Sequence, residues 1–258
     1  MVQVLRLAPW LLLPLLPGCN RTSAPVPPSE AAPAPPVYFQ VDAATEGTVT
    51  GTIRFSGVKP AAPLIDMDQD ADCAKLHGNS PVPDEAVVVN RNGTLRNVFV
   101  YLKSGLEGKT FAPPAATVTI DQKGCWFAPR VLGIQTGQLL TVTNSDPVTH
   151  NIHPLAQVNR EWNHSQAPEE APFTRKFLSP EVMVRVKCNV HRWMRAWIGV
   201  LDHPYFAVTG ADGKFELRHV PPGTYTLAAW QEKLGTQEQT LTVTPAGKVT
   251  AAFTFQGE

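Results

Sequence analysis

The sequence predicts an all-β protein built from sandwiches, and three observations carry that expectation. Apolar residues recur with period two, turn-forming dipeptides separate the apolar runs, and 43% hydrophobic residues stand beside 25 prolines. This composition is too apolar for a disordered chain and too rich in turn formers for a helical one. Only Gln69 to Leu76 offers a short helix. The 22 basic and 22 acidic residues cancel to a formal charge of zero over 258 residues. The longest basic cluster, Arg185, Lys187, Arg192 and Arg195, alternates with apolar residues like a decorated strand and loop. Nucleic acid is therefore not an expected partner.

In chain order, Met1 to Gly18 holds one basic residue, Arg6, and the apolar run LAPWLLLPLLPG, too short and proline-broken for a stable membrane span. Leu16-Pro17-Gly18-Cys19 resembles the lipobox of bacterial lipoproteins. The resemblance implies a signal peptide over 1–18, a lipidated Cys19, and an exported protein anchored on the periplasmic face of a bacterial membrane. Residues 19–44, rich in Pro and Ala, read as a semi-extended tether. Strands are expected over Thr48 to Phe55, Ala86 to Val89, Asn97 to Leu102, Thr117 to Ile120, Gln138 to Thr143, Val182 to Val200 and Lys214 to Leu217. Asn92-Gly93, Asp212-Gly213 and Pro221-Pro222-Gly223 supply turns.

The stretch AVTGADGKFELRHVPPGTYTLAAW, residues 207–230, resembles the second half of a carboxypeptidase regulatory-like domain, a transthyretin-like (prealbumin-like) sandwich. GTVTGTIRFSG at 47–57 resembles the opening strand of that family and NVFVYL at 97–102 the strand that follows. The pieces are split, so residues 45–103 and 204–258 are expected to form one discontinuous sandwich with residues 104–203 inserted as a second domain.

The inserted stretch carries the chemistry. VMVRVKCNVHRWMRAWIGV, residues 182–200, places Cys188, His191 and Met194 at the spacing Cys-x2-His-x2-Met. Strict alternation would set Val182, Val184, Val186 and Cys188 on one face, bringing the thiol to the core side of a strand end. Upstream, GQLLTVTNSDPVTHNIH, residues 137–153, offers His150 and His153. One Cys, two His and one Met make up the blue-copper set, soft enough for the cuprous ion and nitrogenous enough for the cupric one. Zinc rarely recruits methionine, and iron–sulfur clusters need more cysteines.

At these residues the chain resembles cupredoxins, amicyanin among them, over roughly 115–201. The resemblance implies a Greek-key sandwich with one type 1 copper ion on His150, Cys188, His191 and axial Met194, with His153 as the runner-up ligand. It implies that Asn151 pins the cysteine loop by hydrogen bonds. Arg192 stands where the family has proline and Trp193 precedes the methionine; a cation beside an exposed His191 edge favours the reduced site and acidic partners. His164, His203 and His219 lack neighbours at ligand spacing and read as loop or strand-end residues.

With Cys19 assigned to lipid and Cys188 to metal, Cys73 and Cys125 remain as a disulfide pair in an oxidising compartment. The rival pairing of Cys73 with His77 in a second metal site lacks two further clustered ligands. The expected function is electron transfer to an unidentified redox protein through the His191 edge, with no bond chemistry, since the histidine clusters of a catalytic copper centre are missing. Copper delivery without a redox partner, and a structural or carbohydrate-binding lipoprotein, are the alternatives.

Overall fold

The computed structural model describes residues 36–78 and 80–257. The expected signal peptide, Cys19 and the tether up to residue 35 lie outside the described residues. From Val37 onward the chain is one unit, and two sandwiches compose it. In the first, a three-stranded sheet ordered Lys214–Val220, Gly47–Gly57, Lys248–Gly257 faces a four-stranded sheet ordered Phe206–Val208, Phe99–Ser104, Gly223–Gln231, Gly235–Val243. Alternation sends Val49 and Ile53 inward to meet Phe253, Phe255, Val100, Leu102, Leu227 and Leu241 in one core. The two strands furthest apart in sequence, Gly47–Gly57 and Lys248–Gly257, run parallel through ten successive pairs, from Thr48 opposite Lys248 to Gly57 opposite Gly257. Among the described residues the protein is thus all-β apart from one short helix, Ala71–Leu76.

The second sandwich faces a sheet ordered Phe173–Arg175, Leu140–Asn144, Val118–Gln122, Phe127–Ala128 against one ordered His164–Gln166, His150–Pro154, Glu181–Lys187, Arg195–Leu201, Val131–Gln135. Ile120, Leu140 and Val142 from the first sheet meet Ile152, Val186, Ile198 and Val200 from the second. The sandwiches join back to back through a separate cluster of Phe99, Tyr101, Val131, Met183, Leu201 and Ala228. Gly133 and Gly199 make that junction close: a methyl group at either would collide with the ring of Phe206 or Phe99. Across the same junction Arg130 forks onto Glu232 at 2.7 and 2.9 Å and reaches Asp84 at 3.1 Å, while Trp197 Nε1 donates to Glu232 at 3.0 Å. Burial works to lower the Arg130 pKa, but the neighbouring carboxylates, Glu232 foremost and then Asp84, more than offset it and raise it.

The strand before Cys188 departs from strict alternation. Its register against Arg195–Leu201 slips between Glu181 and Val184, and Met183 adopts φ 63°. This bulge turns Val182 outward, 41% exposed, and buries Met183 in the junction. The inward facing of Val184, Val186 and Cys188 survives because the extra residue lies upstream of them. The tether also ends earlier than expected: Phe39 N–H donates to the Thr110 carbonyl, its ring lies 5.7 Å from that of Phe111, and Val41 packs on the first core.

Between the first strand and the rest of its sandwich, residues 58–87 make an excursion. It contains the two-residue strands Leu64–Ile65 and Val82–Pro83, paired with each other, and the helix. A further small pair, Val88–Val89 with Leu95–Arg96, leads back. Asp70 caps the helix, its Oδ1 accepting from Asp72 N–H and Cys73 N–H. Cys73 is joined to Cys125 in a disulfide, which fastens the excursion to the second sandwich. Among the described residues, no helix is long and apolar enough to cross a membrane.

Candidate metal centre

Three donor atoms meet at one end of the second sandwich. His150 begins the strand His150–Pro154, Cys188 follows the strand Glu181–Lys187, and His191 lies in the loop that returns as Arg195–Leu201. That loop is closed on itself, with Cys188 N–H donating to Met194 O and Met194 N–H to His191 O. The two Nδ1 atoms lie 3.0 Å apart, and Cys188 Sγ is 3.8 Å from His191 Nδ1. The donor atoms of His150, Cys188 and His191 are all within 4.8 Å of one another. For metal–nitrogen and metal–sulfur bonds of about 2.0 and 2.3 Å, three donors at 120° stand roughly 3.5 Å (N to N) and 3.7 Å (N to S) apart. The cluster therefore fits one ion with small side-chain adjustment. Met194 is completely buried in the core that also holds Cys188.

Each imidazole is held from behind by a carboxylate. His150 Nε2 bonds Asp146 Oδ2 at 2.8 Å, and His191 Nε2 bonds Asp70 Oδ2 at 2.9 Å. Asp146 is itself fixed by the N–H groups of Gly124 and Cys125, at 2.6 and 2.7 Å. Such partners orient a ligand ring and raise its basicity, leaving Nδ1 to face the metal. Trp193 lies against His191 at 5.1 Å between ring centroids and donates its Nε1–H to Cys125 O.

Asn151 stands beside this centre, whereas the other histidines make bonds of their own. Asn151 accepts from Asn189 N–H at 3.1 Å and donates to His164 O at 3.2 Å, so it ties the residue after Cys188 to the neighbouring strand. His153 lies away from the donor cluster, paired with Glu161 and 3.3 Å from Asn189 Oδ1; three positions along a strand from His150 it takes the opposite face. His77 Nε2 bonds Gly124 O, and Cys73, its partner in the rival metal-site reading, is in the expected disulfide with Cys125. His203 is buried, bonded to Leu102 O and accepting from Tyr205 N–H, whereas His164 and His219 pair with Glu170 and Glu46.

The exposed His191 edge expected from the sequence is absent. His191 is 2% exposed, because Asp70 and the excursion behind it cover its outer nitrogen. Arg192 is exposed and lines a cavity of about 630 Å³ with Asp70, Trp193, Arg195 and Lys233. Asp70 and Asp146 were not among the residues expected at the site. Asp146 has a local signal, four residues before His150, but it also stands before Pro147, as turn residues commonly do.

Burial pushes the Cys188 thiol up, yet hydrogen bonds from His150, His191 and the His191 N–H overcome it and bring the pKa down to about 6. Burial likewise opposes charging of His150 and His191. Asp146 and Cys188 raise His150, while Cys188 and Asp70 raise His191. Ultraviolet thiolate absorbance of metal-free protein is expected to titrate with a midpoint of about 6 and to be fully developed by pH 8. A midpoint near the ordinary 9.0 would show that the histidines do not hold the thiolate.

Residues 199–256 match the carboxypeptidase regulatory-like domain family. Among curated proteins none matches the chain. Of solved structures, the chain is similar to the copper-containing nitrite reductase NirK from Thermus scotoductus SA-01, at 20% identity and a TM-score of 0.32, over 38% of this chain and 25% of that one. It thus spans about a quarter of the reductase. It is similar to an oxidized amicyanin variant at 20% identity and a TM-score of 0.30, over 39% of this chain and 97% of that one. A purple cupredoxin from Nitrosopumilus maritimus matches at 21% identity and a TM-score of 0.28, over 32% and 98%.

Proposed function

We propose that this protein is an electron carrier with one type 1 copper ion held by His150, Cys188, His191 and Met194. The observation that supports this reading most is the convergence of two Nδ1 atoms and one thiol in a buried site whose imidazoles are both braced from behind. Bound copper would supply a one-electron couple between cuprous and cupric states. The residues around it do the rest: Asp146 and Asp70 fix the rings, the closed 188–194 loop sets the sulfur and nitrogen in register, and burial excludes water. A rigid set that serves both oxidation states keeps rearrangement small, as a carrier needs and an enzyme does not. Export, a lipid anchor at Cys19 and a redox protein partner belong to the same reading.

Titration of the copper-free protein with cupric ion tests it. One equivalent should produce an intense visible thiolate-to-copper band and a reversible one-electron couple, with copper retained against a moderate chelator. Copper that binds but is readily surrendered in both oxidation states, with no reversible couple, would mark a delivery protein. No thiolate-to-copper band would end the copper-carrier reading.

Met194→Leu is close to volume-conserving. It is expected to keep the band and raise the reduction potential, because it removes an axial donor that favours the cupric state. Voltammetry of both proteins checks the direction.

A further inference from the structure

We infer that Asp70, delivered by the disulfide-fastened excursion, is a positioning residue of the metal centre that sets the orientation of His191 and holds the reduction potential down. The inference rests on the copper reading for its second half and on the present geometry for its first. Asp70 reaches His191 from 121 residues away in sequence. Its two oxygens do different things: Oδ1 caps the helix by accepting from Asp72 and Cys73 N–H, and Oδ2 accepts a hydrogen bond from His191 Nε2–H. The disulfide begins at Cys73, whose own N–H is bonded to Asp70, and ends at Cys125, whose N–H is bonded to Asp146. One covalent link therefore braces both carboxylates, each behind one imidazole. The Asp70 carboxylate, Cys73 Sγ and a His191 ring nitrogen lie within 4.8 Å of one another, and so do Cys125 Sγ, the Asp146 carboxylate and a His150 ring nitrogen.

The two carboxylates differ in setting. Asp146 is 5% exposed, whereas the Asp70 side chain is 29% exposed and stands on the excursion rather than in the sandwich. Asp70 is thus the brace that can be lost without disturbing the core. A negative charge bonded to the back of a ligand imidazole favours the more positive metal state, so removing it favours the cuprous form.

Asp70→Asn separates this role from capping, since asparagine caps a helix as well as aspartate does. The metal-free variant should stay folded with its helix cap kept, losing only what the Asp70–His191 bond contributes. In that metal-free state, nitrogen-15 NMR should show the wild-type His191 Nε2–H protected from exchange and the variant's Nε2–H exposed to exchange. With copper bound, the variant should lose about tenfold in cupric relative to cuprous affinity, which is a rise of ~59 mV for a one-electron couple. The Cys73→Ala/Cys125→Ala double variant should reproduce both changes, because it frees the excursion that carries Asp70. Unchanged His191 exchange in Asp70→Asn would overturn the positioning role even if copper never binds. A blue wild type whose potential is the same in Asp70→Asn would overturn the control of potential while leaving the copper reading intact. A wild type without the blue band would remove the copper reading and with it the potential, and the exchange measurement would still decide the positioning.

Discussion

Glu232→Ala is expected to destabilise the protein by about 3–5 kcal/mol, near the lower end of that range. The Arg130 and Glu232 side chains are each 4% exposed, and they meet as a bidentate fork inside the junction of the two sandwiches. Removing the carboxylate strands a buried guanidinium, and it also leaves Trp197 Nε1–H without its acceptor. Asp84 stays 3.1 Å from Arg130, which limits the loss. Arg130→Met/Glu232→Met should lose less than the sum of Arg130→Met and Glu232→Met, because it removes both charges of the fork together, although Asp84 and Trp197 Nε1–H each still lose a partner. Urea denaturation of the four proteins measures the cycle. Single-variant losses below 1 kcal/mol would mean that the pair is screened by water rather than buried.

If the protein binds copper as proposed, an equally large change is expected in the absorption spectrum of copper-loaded Cys188→Ser, where the visible band should vanish altogether. A serine hydroxyl ionises far above neutral pH and gives no thiolate-to-copper transition, whereas the cysteine is already a thiolate at pH 7, with its pKa lowered to about 6. The fold should survive, since Cys188 is one residue of a large core and the loop is also closed by the backbone bonds of Met194. Cupric affinity should fall with the colour. A variant that keeps an intense visible band would place the chromophore elsewhere and remove Cys188 from the centre.

Much of the fold was legible because alternation is a local property. Thr48 to Phe55 reads as a strand from its own residues, and Gly47–Gly57 is one. The Cys-x2-His-x2-Met loop is equally local, since its thiol and imidazole come from residues three apart. What escaped was either non-local or hidden in ordinary residues. Asp70 meets His191 only after the chain has folded across 121 positions, and an Asp between Gln69 and Ala71 in an expected short helix carries no local mark of that partner. The bulge at Met183 had no glycine or asparagine to announce its positive φ. It follows from tertiary demand, since the junction needed a long side chain where strict alternation would have placed a valine's neighbour in solvent.

The parallel pairing of Gly47–Gly57 with Lys248–Gly257 has a consequence in time as well as in space. Each of its ten pairs spans 200 residues, from 48 to 248 in the first and from 57 to 257 in the last. At about 5–20 residues per second of synthesis, the opening strand exists for roughly 10–40 s before its partner does. Throughout that interval one row of its backbone N–H and C=O groups has no native neighbour, and such a row pairs readily with any other chain. The strand Lys248–Gly257 therefore closes an edge of Gly47–Gly57 that stays open until synthesis has passed residue 248.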